Sequence, residues 1–392
     1  MNWLSSLEQQ AAERERAGLR RELRSRTEGD SLIDLAGNDY LGLAHHPEVL
    51  AAAMSAMKGY GLGATASRLV RGSTDVHAEL EAELARFLDC EAALVYSSGY
   101  LANLGAVRAL AAPGTLVASD AHNHASLVDG CRLARGGRDG VHVTVYAHGD
   151  PSALTAALDV LPVPRVPQVP PVPPLAVTES IFSVYGDLAP LRELHTVTRD
   201  RGGVLLVDDA HGVGVVGLAG AGAVAASGLA GEPDVVVTAT LSKAFGAAGG
   251  VVAGPAPFIR HLVETSRTFI YDTGLPPAVA AGSLAALRLI RGEAGEVARA
   301  DLAERALAAC ARLRSAGFEV REPAGGVLSV AAPGPGEART WAGRCLAGGV
   351  AVGCFRPPST PDGTSRLRLT INVGVAREDF DRALEIVVRA AP

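Results

Sequence analysis

Two short apolar runs, each ending abruptly in polar residues, most constrain the fold of this chain. Val204-Leu205-Leu206-Val207 is followed directly by Asp208. Val235-Val236-Val237 leads through Thr240 to Lys243. Continuous apolar runs of this length are typical of strands buried on both faces of a parallel sheet. Because open α/β sheets bind ligands at the carboxyl ends of their strands, we expect the polar residues to form a site there.

Lys243 stands out against the composition. The chain has 36 lysines and arginines together, and only Lys58 and Lys243 are lysines. Arginine keeps its proton near neutral pH, whereas a lysine becomes a nucleophile when burial or a neighbouring cation lowers its pKa. We interpret Lys58, beside Gly59, as a surface residue. Lys243, at a predicted strand end, is predicted to form a Schiff base with a carbonyl substrate or with pyridoxal phosphate.

Pyridoxal phosphate needs an anionic partner for its pyridine nitrogen, hydrogen bonds to its ring oxygen, a stacking surface and donors for its phosphate. Asp208 can keep the ring nitrogen protonated, and His211 can reach the ring oxygen. The alternative for an aspartate at this point is a helix cap, a role that suits Asp209.

The string Asp208-Asp209-Ala210-His211-Gly212 and the string from Thr240 to Gly246 together resemble the α-oxoamine synthase family. The resemblance covers the chain from about Arg20 to about Gly374. It implies an α/β fold of the fold-type I pyridoxal-phosphate transferases, with a mostly parallel central sheet in the large domain and a small α+β C-terminal domain. We expect an N-terminal helix and arm at 1–40, a cofactor-binding domain at 41–280, and a bridging helix with the small domain at 281–392.

The family joins an amino acid to an acyl thioester with loss of carbon dioxide. Asp208–Gly212 and Arg356-Pro357-Pro358-Ser359 favour the member that uses L-alanine and pimeloyl-CoA, or a pimeloyl carrier protein, in biotin biosynthesis. Glycine C-acetyltransferase, 5-aminolevulinate synthase and serine palmitoyltransferase share the same constellation and stay open as alternatives.

Further cofactor contacts follow from the resemblance. We expect Gly99 and Tyr100, after a strand at Ala92–Tyr96, to hold the phosphate at a helix N-terminus. His124 is expected to stack on the ring and touch the substrate, with His122 as its rival. The remaining cofactor residues implied by the family match are Glu179, Ser183, Thr240 and Thr273, the last reaching the neighbouring subunit's phosphate in a homodimer.

Besides His124, four residues are expected to contact the substrates. Arg20 matches a family position near the far end of the acyl chain, where a terminal carboxylate suits an arginine. Asn38 follows a short predicted strand, with a turn as its alternative. Arg368 is expected to bind the amino-acid carboxylate, and Ser359 stands where the family has threonine.

Gly212-Val213-Gly214-Val215-Val216-Gly217 matches the dinucleotide-binding fingerprint. The Asp-Asp-Ala-His insertion separates it from its strand, and no second strand ends in an acid about 20 residues later. A nicotinamide-dependent oxidoreductase is therefore the less favoured alternative. A noncatalytic cofactor-binding regulator would need a basic helix-turn-helix extension, which we do not find.

Composition narrows the remaining function classes. A net charge of −6 gives no nucleic-acid footprint. The five cysteines are scattered without a CxxC pair, so we expect neither a metal site nor disulfides. No secretory signal and no long uninterrupted apolar run is visible, so we expect a cytoplasmic protein without a membrane span.

Three segments carry simpler expectations. Residues 1–30 are predicted to form a charged amphipathic helix. His77–Leu88 has apolar residues at helical spacing and predicts a second helix. The proline-rich run at 162–174 predicts a surface polyproline loop, with docking to a proline-binding module as an alternative.

Overall fold

The computed structural model describes residues 2–137, 140–159 and 172–392, and the chain there forms two compact units. The larger unit comprises Asp39–Ser183 and Asp187–Asp301. The smaller unit comprises the segment up to Asn38, Val184–Gly186 and Leu302–Pro392. We propose that these units correspond to the large and small domains expected from the sequence.

Regular elements cover most of the described residues. The strands are β1 (Ile33–Leu35), β2 (Ala92–Tyr96), β3 (Leu116–Asp120), β4 (His142–Tyr146), β5 (Leu175–Glu179), β6 (Val204–Asp208), β7 (Val235–Thr240), β8 (Gly250–Gly254), β9 (Val327–Ala331), β10 (Val350–Phe355) and β11 (Arg366–Thr370). The helices are α1 (Trp3–Arg16), α2 (Pro47–Tyr60), α3 (Asp75–Phe87), α4 (Gly99–Leu110), α5 (Ala125–Gly137), α6 (Pro151–Asp159), α7 (Leu191–Arg199), α8 (Ala223–Ala226), α9 (Ala256–Thr265), α10 (Arg267–Ile270), α11 (Pro277–Arg291), α12 (Glu293–Ser315), α13 (Pro335–Ala347) and α14 (Arg377–Arg389).

The larger unit is built on a seven-stranded sheet in the order β2-β8-β7-β6-β5-β3-β4. The neighbours from β7 to β4 pair in parallel, and β8 runs antiparallel to both β2 and β7. The mostly parallel sheet predicted from the apolar runs is confirmed. All five residues of β5 are buried, as expected for a strand covered on both faces.

Helix α4 provides part of the core against this sheet. Its small residues Ala102 and Ala106 are fully buried in one cluster with Val177, Leu206 and Val236 of the central strands. Burying a Val or Leu side chain fully contributes about 1.5–3 kcal/mol. The small side chains bring the helix axis close to the sheet, which places the start of α4 near the carboxyl ends of the strands.

The smaller unit contains a four-stranded sheet in the order β1-β10-β11-β9. Strand β1 pairs in parallel with β10, and the other two pairings are antiparallel. Arg366 and Arg368 alternate with buried Leu367 and Leu369 along β11, so the two arginines share one face of this strand, as predicted.

The N-terminal helix is shorter than predicted. Helix α1 ends at Arg16, and residues 17–32 form no helix or strand. Gly18 adopts a left-handed φ of 67°, and the Leu19 N–H donates to the Arg14 carbonyl at 2.7 Å. A left-handed glycine directly after a helix ends it, and the prediction of one helix over residues 1–30 was therefore wrong.

Two other segments have different outcomes. The helix predicted at His77–Leu88 is present as α3, which begins two residues earlier. The proline-rich run at 162–174 lies outside the described residues up to position 171, and 172–174 form no helix or strand.

Among the described residues, no helix has both the length and the apolar character needed to cross a bilayer. The cytoplasmic location stays a prediction.

Residues 212–217 form turns and are followed by a single 3-10 turn at Leu218–Gly220. The dinucleotide fingerprint requires its glycines to open a helix whose N-terminus binds the pyrophosphate. Here Gly214 and Gly217 have φ values of 84° and 82° inside the turns. The local backbone therefore lacks the context that a nicotinamide site needs.

Candidate active site

Three strands of the larger unit end side by side with polar residues. Strand β5 ends at Glu179, β6 at Asp208 and β7 at Thr240. Glu179 is the register partner of Asp208, and Asp208 is the partner of Thr238. The parallel pairing therefore brings these side chains to one sheet edge, as the apolar runs predicted.

Asp208 is buried, with 6% of its surface exposed, and both of its carboxylate oxygens accept hydrogen bonds. Asn103 Nδ2 donates to Oδ2 at 2.7 Å, and the Ala210 N–H donates to Oδ1 at 3.0 Å. One donor on each oxygen therefore fixes the orientation of the carboxylate. A carboxylate retains further acceptor positions, so Asp208 can still pair with a protonated ring nitrogen.

Asp209 has a different task from its neighbour. It is fully buried, its Oδ1 accepts from the Ser180 hydroxyl at 2.5 Å, and its Oδ2 accepts from the Val224 N–H at 3.2 Å. Burial raises the pKa of Asp209 to about 7. Because Val224 lies in the first turn of α8, Asp209 ties that helix to the end of β6.

His211 lies in the turn after β6 and is buried. Its Nδ1 is 2.5 Å from the Tyr40 hydroxyl oxygen, and the two rings meet edge to face. The sequence analysis did not assign Tyr40 to the site. Its contact fixes the ring of His211 next to Asp208.

His124, Glu179, Asp208 and Lys243 form one electrostatic cluster. The charges of Asp208 and Lys243 both act on His124 and on Glu179. Burial lowers the pKa of His124 below its usual value. Burial, together with the Asp208 charge, raises the pKa of Glu179 to about 8. The structure therefore brings the lysine, the aspartate and the histidine predicted for catalysis into one group.

Lys243 is half-buried in the turn between β7 and β8. The Gly246 N–H donates to the Lys243 carbonyl at 2.8 Å, and the Ala247 N–H donates to the Leu241 carbonyl at 3.0 Å. Gly246 has φ 63°, and a Cβ there would lie 2.3 Å from the Ala44 nitrogen. Only glycine fits this turn, which holds the lysine at the strand end.

The predicted phosphate cradle is the junction of β2 and α4. Ser98 caps the helix by accepting the Leu101 N–H at 3.2 Å. The first N–H groups of a helix have no partners inside it, so those of Gly99 and Tyr100 suit an anion. A Cβ on Gly99 would lie 3.0 Å from Thr240 Cβ, so a larger residue would crowd the start of α4 against the end of β7.

Tyr100 and His124 approach each other above this junction. Their ring centroids are 6.5 Å apart at 79°, and the Tyr100 hydroxyl donates to Asp129. The rival His122 stacks instead on His148, with ring centroids 3.9 Å apart. The geometry therefore separates the two histidines, and His124 is the one that belongs to the electrostatic cluster.

The donor set fits pyridoxal phosphate. Glu179 is buried, and its Oε1 has no hydrogen-bond partner, while its Oε2 accepts the Ser183 N–H at 3.1 Å. Leaving a buried polar atom unpaired costs free energy that a bound polar ligand can recover. A lysine, an aspartate, a histidine and a capped helix N-terminus are the groups that this cofactor requires.

Arg368 and Asn38 contact each other in the smaller unit. Arg368 Nη2 donates to Asn38 Oδ1 at 2.9 Å, and its guanidinium lies 4.7 Å from the centre of the Phe355 ring. Arg368 is 6% exposed. A buried, stacked arginine is suited to bidentate recognition of a carboxylate.

Arg20 and Ser359 line a cavity of about 750 Å³ in the smaller unit. The Arg20 guanidinium pairs with Glu15 and Glu22 at 3.3 and 3.4 Å. Its neighbour Arg21 donates to Ser359 Oγ at 3.0 Å. The contact with Ser359 therefore belongs to Arg21 and not to Arg20.

Thr273 is exposed in the loop before α11. The loop is tied down on either side of it, because Ser97 Oγ donates to Asp272 and the Gly274 N–H donates to the Ala66 carbonyl at 3.0 Å. An exposed hydroxyl on a fixed loop is available to a partner subunit, and the role predicted for Thr273 stays a prediction.

Comparisons with known proteins agree with this geometry. Residues 30–387 match the family Aminotransferase class I and II. The chain belongs to this family. It is 46% identical to an 8-amino-7-oxononanoate synthase of Mycolicibacterium vanbaalenii over 98% of this chain and 96% of that one.

Two solved structures show the same fold. A serine palmitoyltransferase from S. paucimobilis with a bound PLP–myriocin aldimine matches with a TM-score of 0.89 at 29% identity, covering 100% of this chain and 98% of that one. An 8-amino-7-oxononanoate synthase from Francisella tularensis matches with a TM-score of 0.76 at 26% identity, covering 92% and 98%. The predicted fold class and the resemblance to α-oxoamine synthases are confirmed.

Sequence reasoning missed three buried polar residues that touch the site. These are Asn103, Ser126 and Thr238. Asn103 stands in Leu101-Ala102-Asn103-Leu104, where a polar residue among apolar ones was the available signal. An asparagine in the middle of an apolar helix face must find a buried partner, and that partner is Asp208.

Three potential metal ligands also gather away from the site. His195, Glu232 and Asp234 place their ligand atoms within 4.8 Å of one another. Arg199 donates to both carboxylates, reaching Asp234 at 2.7 Å. Since a guanidinium already neutralises these acids, the cluster is explained as an ion-pair network.

Proposed function

We propose that the protein is an 8-amino-7-oxononanoate synthase that joins L-alanine to a pimeloyl thioester. The products are 8-amino-7-oxononanoate, the free thiol and carbon dioxide, in biotin biosynthesis. The cluster of Lys243, Asp208 and His124 at the ends of β7, β6 and β3 carries this proposal, together with 46% identity to a protein of that name. Pyridoxal 5'-phosphate is the cofactor, and the enzyme is an acyltransferase.

The cofactor, when bound, withdraws electrons from the α-carbon of an amino acid and so makes loss of a proton and of carbon dioxide there possible. Lys243 would hold it through its amine, and Gly99 and Tyr100 would bind its phosphate. Asp208 would pair with its ring nitrogen, and His211, Ser183 and Thr240 would line its remaining polar edge. His124 would cover its ring.

Lys243 has a second task as the base. Lys243 is half-buried, and its charge acts on both His124 and Glu179, so its amine belongs to the electrostatic cluster. Its amine would remove the α-proton of L-alanine and return a proton to the same carbon at the end. Arg368 stays our predicted partner of the alanine carboxylate, and Arg20, Asn38 and Ser359 stay predicted substrate contacts.

Thiol release tests the proposal directly. The enzyme, loaded with pyridoxal phosphate, is mixed with pimeloyl-CoA or acetyl-CoA and with alanine, glycine or serine in turn. We expect thiol release only with alanine and pimeloyl-CoA. Release with glycine and acetyl-CoA would instead support a glycine C-acetyltransferase.

A pair of lysine variants controls this assay. Lys243→Ala should abolish turnover and leave the cofactor removable by dialysis, because no amine remains to bind it covalently. Lys58→Ala, at the exposed end of α2, should leave both unchanged. Turnover by the Lys243→Ala variant close to that of the unmodified enzyme would contradict the assignment.

We also propose that the enzyme is a homodimer. Leu50, Met54, Met57 and Tyr60 are exposed large side chains on one helix, α2, and Leu62, shortly after its end, is exposed as well. A second copy of the chain would cover this surface. Thr273 would then reach the neighbouring subunit's cofactor phosphate.

A further inference from the structure

Helix α4 carries a buried asparagine that faces the catalytic cluster. Asn103 lies four residues after Gly99, one turn from the predicted phosphate cradle, and is 3% exposed. Its three side-chain hydrogen bonds reach groups on three other elements. These groups are Asp208 at the end of β6, Thr238 in β7, and Ser126 at the start of α5.

The carboxylate fixes which way the amide points. Asp208 Oδ2 lies 2.7 Å from Asn103 Nδ2, and an amide turned over would place two acceptor oxygens against each other. The Thr238 hydroxyl donates to Asn103 Oδ1 at 2.5 Å. Because an amide nitrogen only donates, Asp208 Oδ2 is the acceptor of this hydrogen bond.

The second proton of the same nitrogen fixes Ser126. Asn103 Nδ2 lies 2.8 Å from Ser126 Oγ, so the serine oxygen accepts there. Its own proton is then directed to His124 Nδ1, which lies 2.7 Å away. The Ser126 N–H points to the same ring nitrogen at 3.3 Å. With two donors aimed at it, Nδ1 accepts, and the proton of the neutral ring lies on Nε2.

We propose that Asn103 is a positioning residue that sets the tautomer and orientation of His124 through Ser126 while fixing the orientation of the Asp208 carboxylate. One amide nitrogen thereby links Asp208, which is expected to pair with the ring nitrogen of the cofactor, to His124, which is expected to cover the face of the ring. The catalytic consequence rests on the proposed function, but the hydrogen-bond pattern does not.

The tautomer can be read on the protein without cofactor. We would label the histidines with ¹⁵N, assign His124 from the spectrum of His124→Gln, and record the two ring nitrogens near neutral pH. The unmodified protein should show a protonated Nε2 and an unprotonated Nδ1. Ser126→Ala should give a mixture of both tautomers, and Asn103→Ala should do the same because Ser126 loses the partner that orients it.

Kinetic measurements then distinguish a positioning role of Ser126 from a folding defect in its variant. Ser126→Ala should lower kcat roughly 10- to 100-fold with less than threefold change in KM for alanine. Ser126→Thr, which keeps the hydroxyl, should recover most of the loss. Ser119→Ala removes another buried serine, on β3, that contacts Asn123 instead, and should leave kcat and the His124 spectrum unchanged.

Two results would overturn the proposal. One is a His124 spectrum in Ser126→Ala and Asn103→Ala identical to that of the unmodified protein. The other is a kcat loss in Ser126→Ala that Ser119→Ala shares to the same degree. An unmodified enzyme that releases no thiol but shows the Nε2 tautomer would instead count against the proposed function and leave the hydrogen-bond inference standing.

Discussion

At the scale of single residues, the site separates two adjacent aspartates by their surroundings. Asp208 accepts from an amide and a backbone N–H, whereas Asp209 is closed off by Ser180 and the start of α8. Burial raises the pKa of Asp209 to about 7. We therefore propose that Asp208, rather than Asp209, pairs with the ring nitrogen. The Val224 N–H at the start of α8 is the helix contact of Asp209.

Replacing Asp208 by asparagine tests this division. The variant keeps the shape of the side chain but loses the charge that holds a ring nitrogen protonated. We expect kcat to fall roughly 10²- to 10³-fold, with a much smaller loss of cofactor affinity. Thiol release and a cofactor titration measure the two effects.

The matched control is Asp159→Asn, which removes one partner of the surface pair with Arg201. It should leave both quantities unchanged. An Asp208→Asn variant with a kcat within twofold of the unmodified enzyme would show that the carboxylate has no electrostatic role.

At the scale of elements, the contact of α4 with β7 depends on Gly99. A Cβ there would lie 3.0 Å from Thr240 Cβ and 3.1 Å from its Oγ1, so an alanine would push the helix start away from the strand end. We expect Gly99→Ala to weaken pyridoxal-phosphate binding about tenfold or more, because the helix N–H groups move. Fluorescence titration of the protein without cofactor measures this.

Gly343→Ala is the control, since a Cβ on that helical glycine meets nothing within 4 Å. It should bind the cofactor normally. If Gly99→Ala also binds normally while remaining folded, the junction of β2 and α4 is not the phosphate site.

A second element-scale contact ties two loops of the sheet edge together through His148. Its Nδ1 lies 3.0 Å from Asp120 Oδ1, and its Nε2 lies 2.9 Å from Asp187 Oδ2. Burial alone would lower the pKa of His148, but the hydrogen bonds to the two carboxylates outweigh it and raise the pKa to about 9. His148 is therefore charged at neutral pH in the folded protein.

The raised pKa of His148 predicts how the free energy of unfolding changes with pH. The unfolded chain has a histidine pKa near 6.5, so the stabilisation is complete below that pH and is lost as the pH rises through about 9. We expect His148→Gln to lower the free energy of unfolding by on the order of 3 kcal/mol at pH 6, and by much less at pH 10. Denaturant unfolding at each pH measures this.

His142→Gln, at an exposed position on β4, is the control and should show no such trend. If His148→Gln lowers the free energy of unfolding by the same amount from pH 6 to pH 10, the ring stabilises the fold by packing against Phe182 and His122 rather than by its charge.

The elements also show where sequence reasoning reached its limit. Apolar runs predicted β6 and β7 almost residue by residue, because burial on both faces leaves a continuous signature. The end of α1 at Arg16 was missed although Gly18 is a recognised stop signal. Asn103 and Tyr40 were not assigned because their partners, Asp208 and His211, are more than 100 residues away and meet them only through the fold.

At the scale of the whole molecule, the exposed apolar patch on α2 has to be explained. Leu50, Met54 and Met57 follow the spacing of one helix face, and all three are more than 40% exposed. A contiguous apolar surface of this kind marks an interaction site in a soluble protein. The homodimer proposed above would cover it.

Charges placed on that face test the dimer. We expect the unmodified chain to have the mass of two copies in light scattering coupled to size exclusion, and the double variant Met54→Asp, Met57→Asp to have the mass of one. Burying a carboxylate without a partner opposes association. The variant should also bind pyridoxal phosphate more weakly, because Thr273 of the second copy no longer reaches the site. The control variant Ser55→Asp, on the opposite side of α2, should remain dimeric. An unmodified chain that is monomeric at micromolar concentration would contradict the proposal.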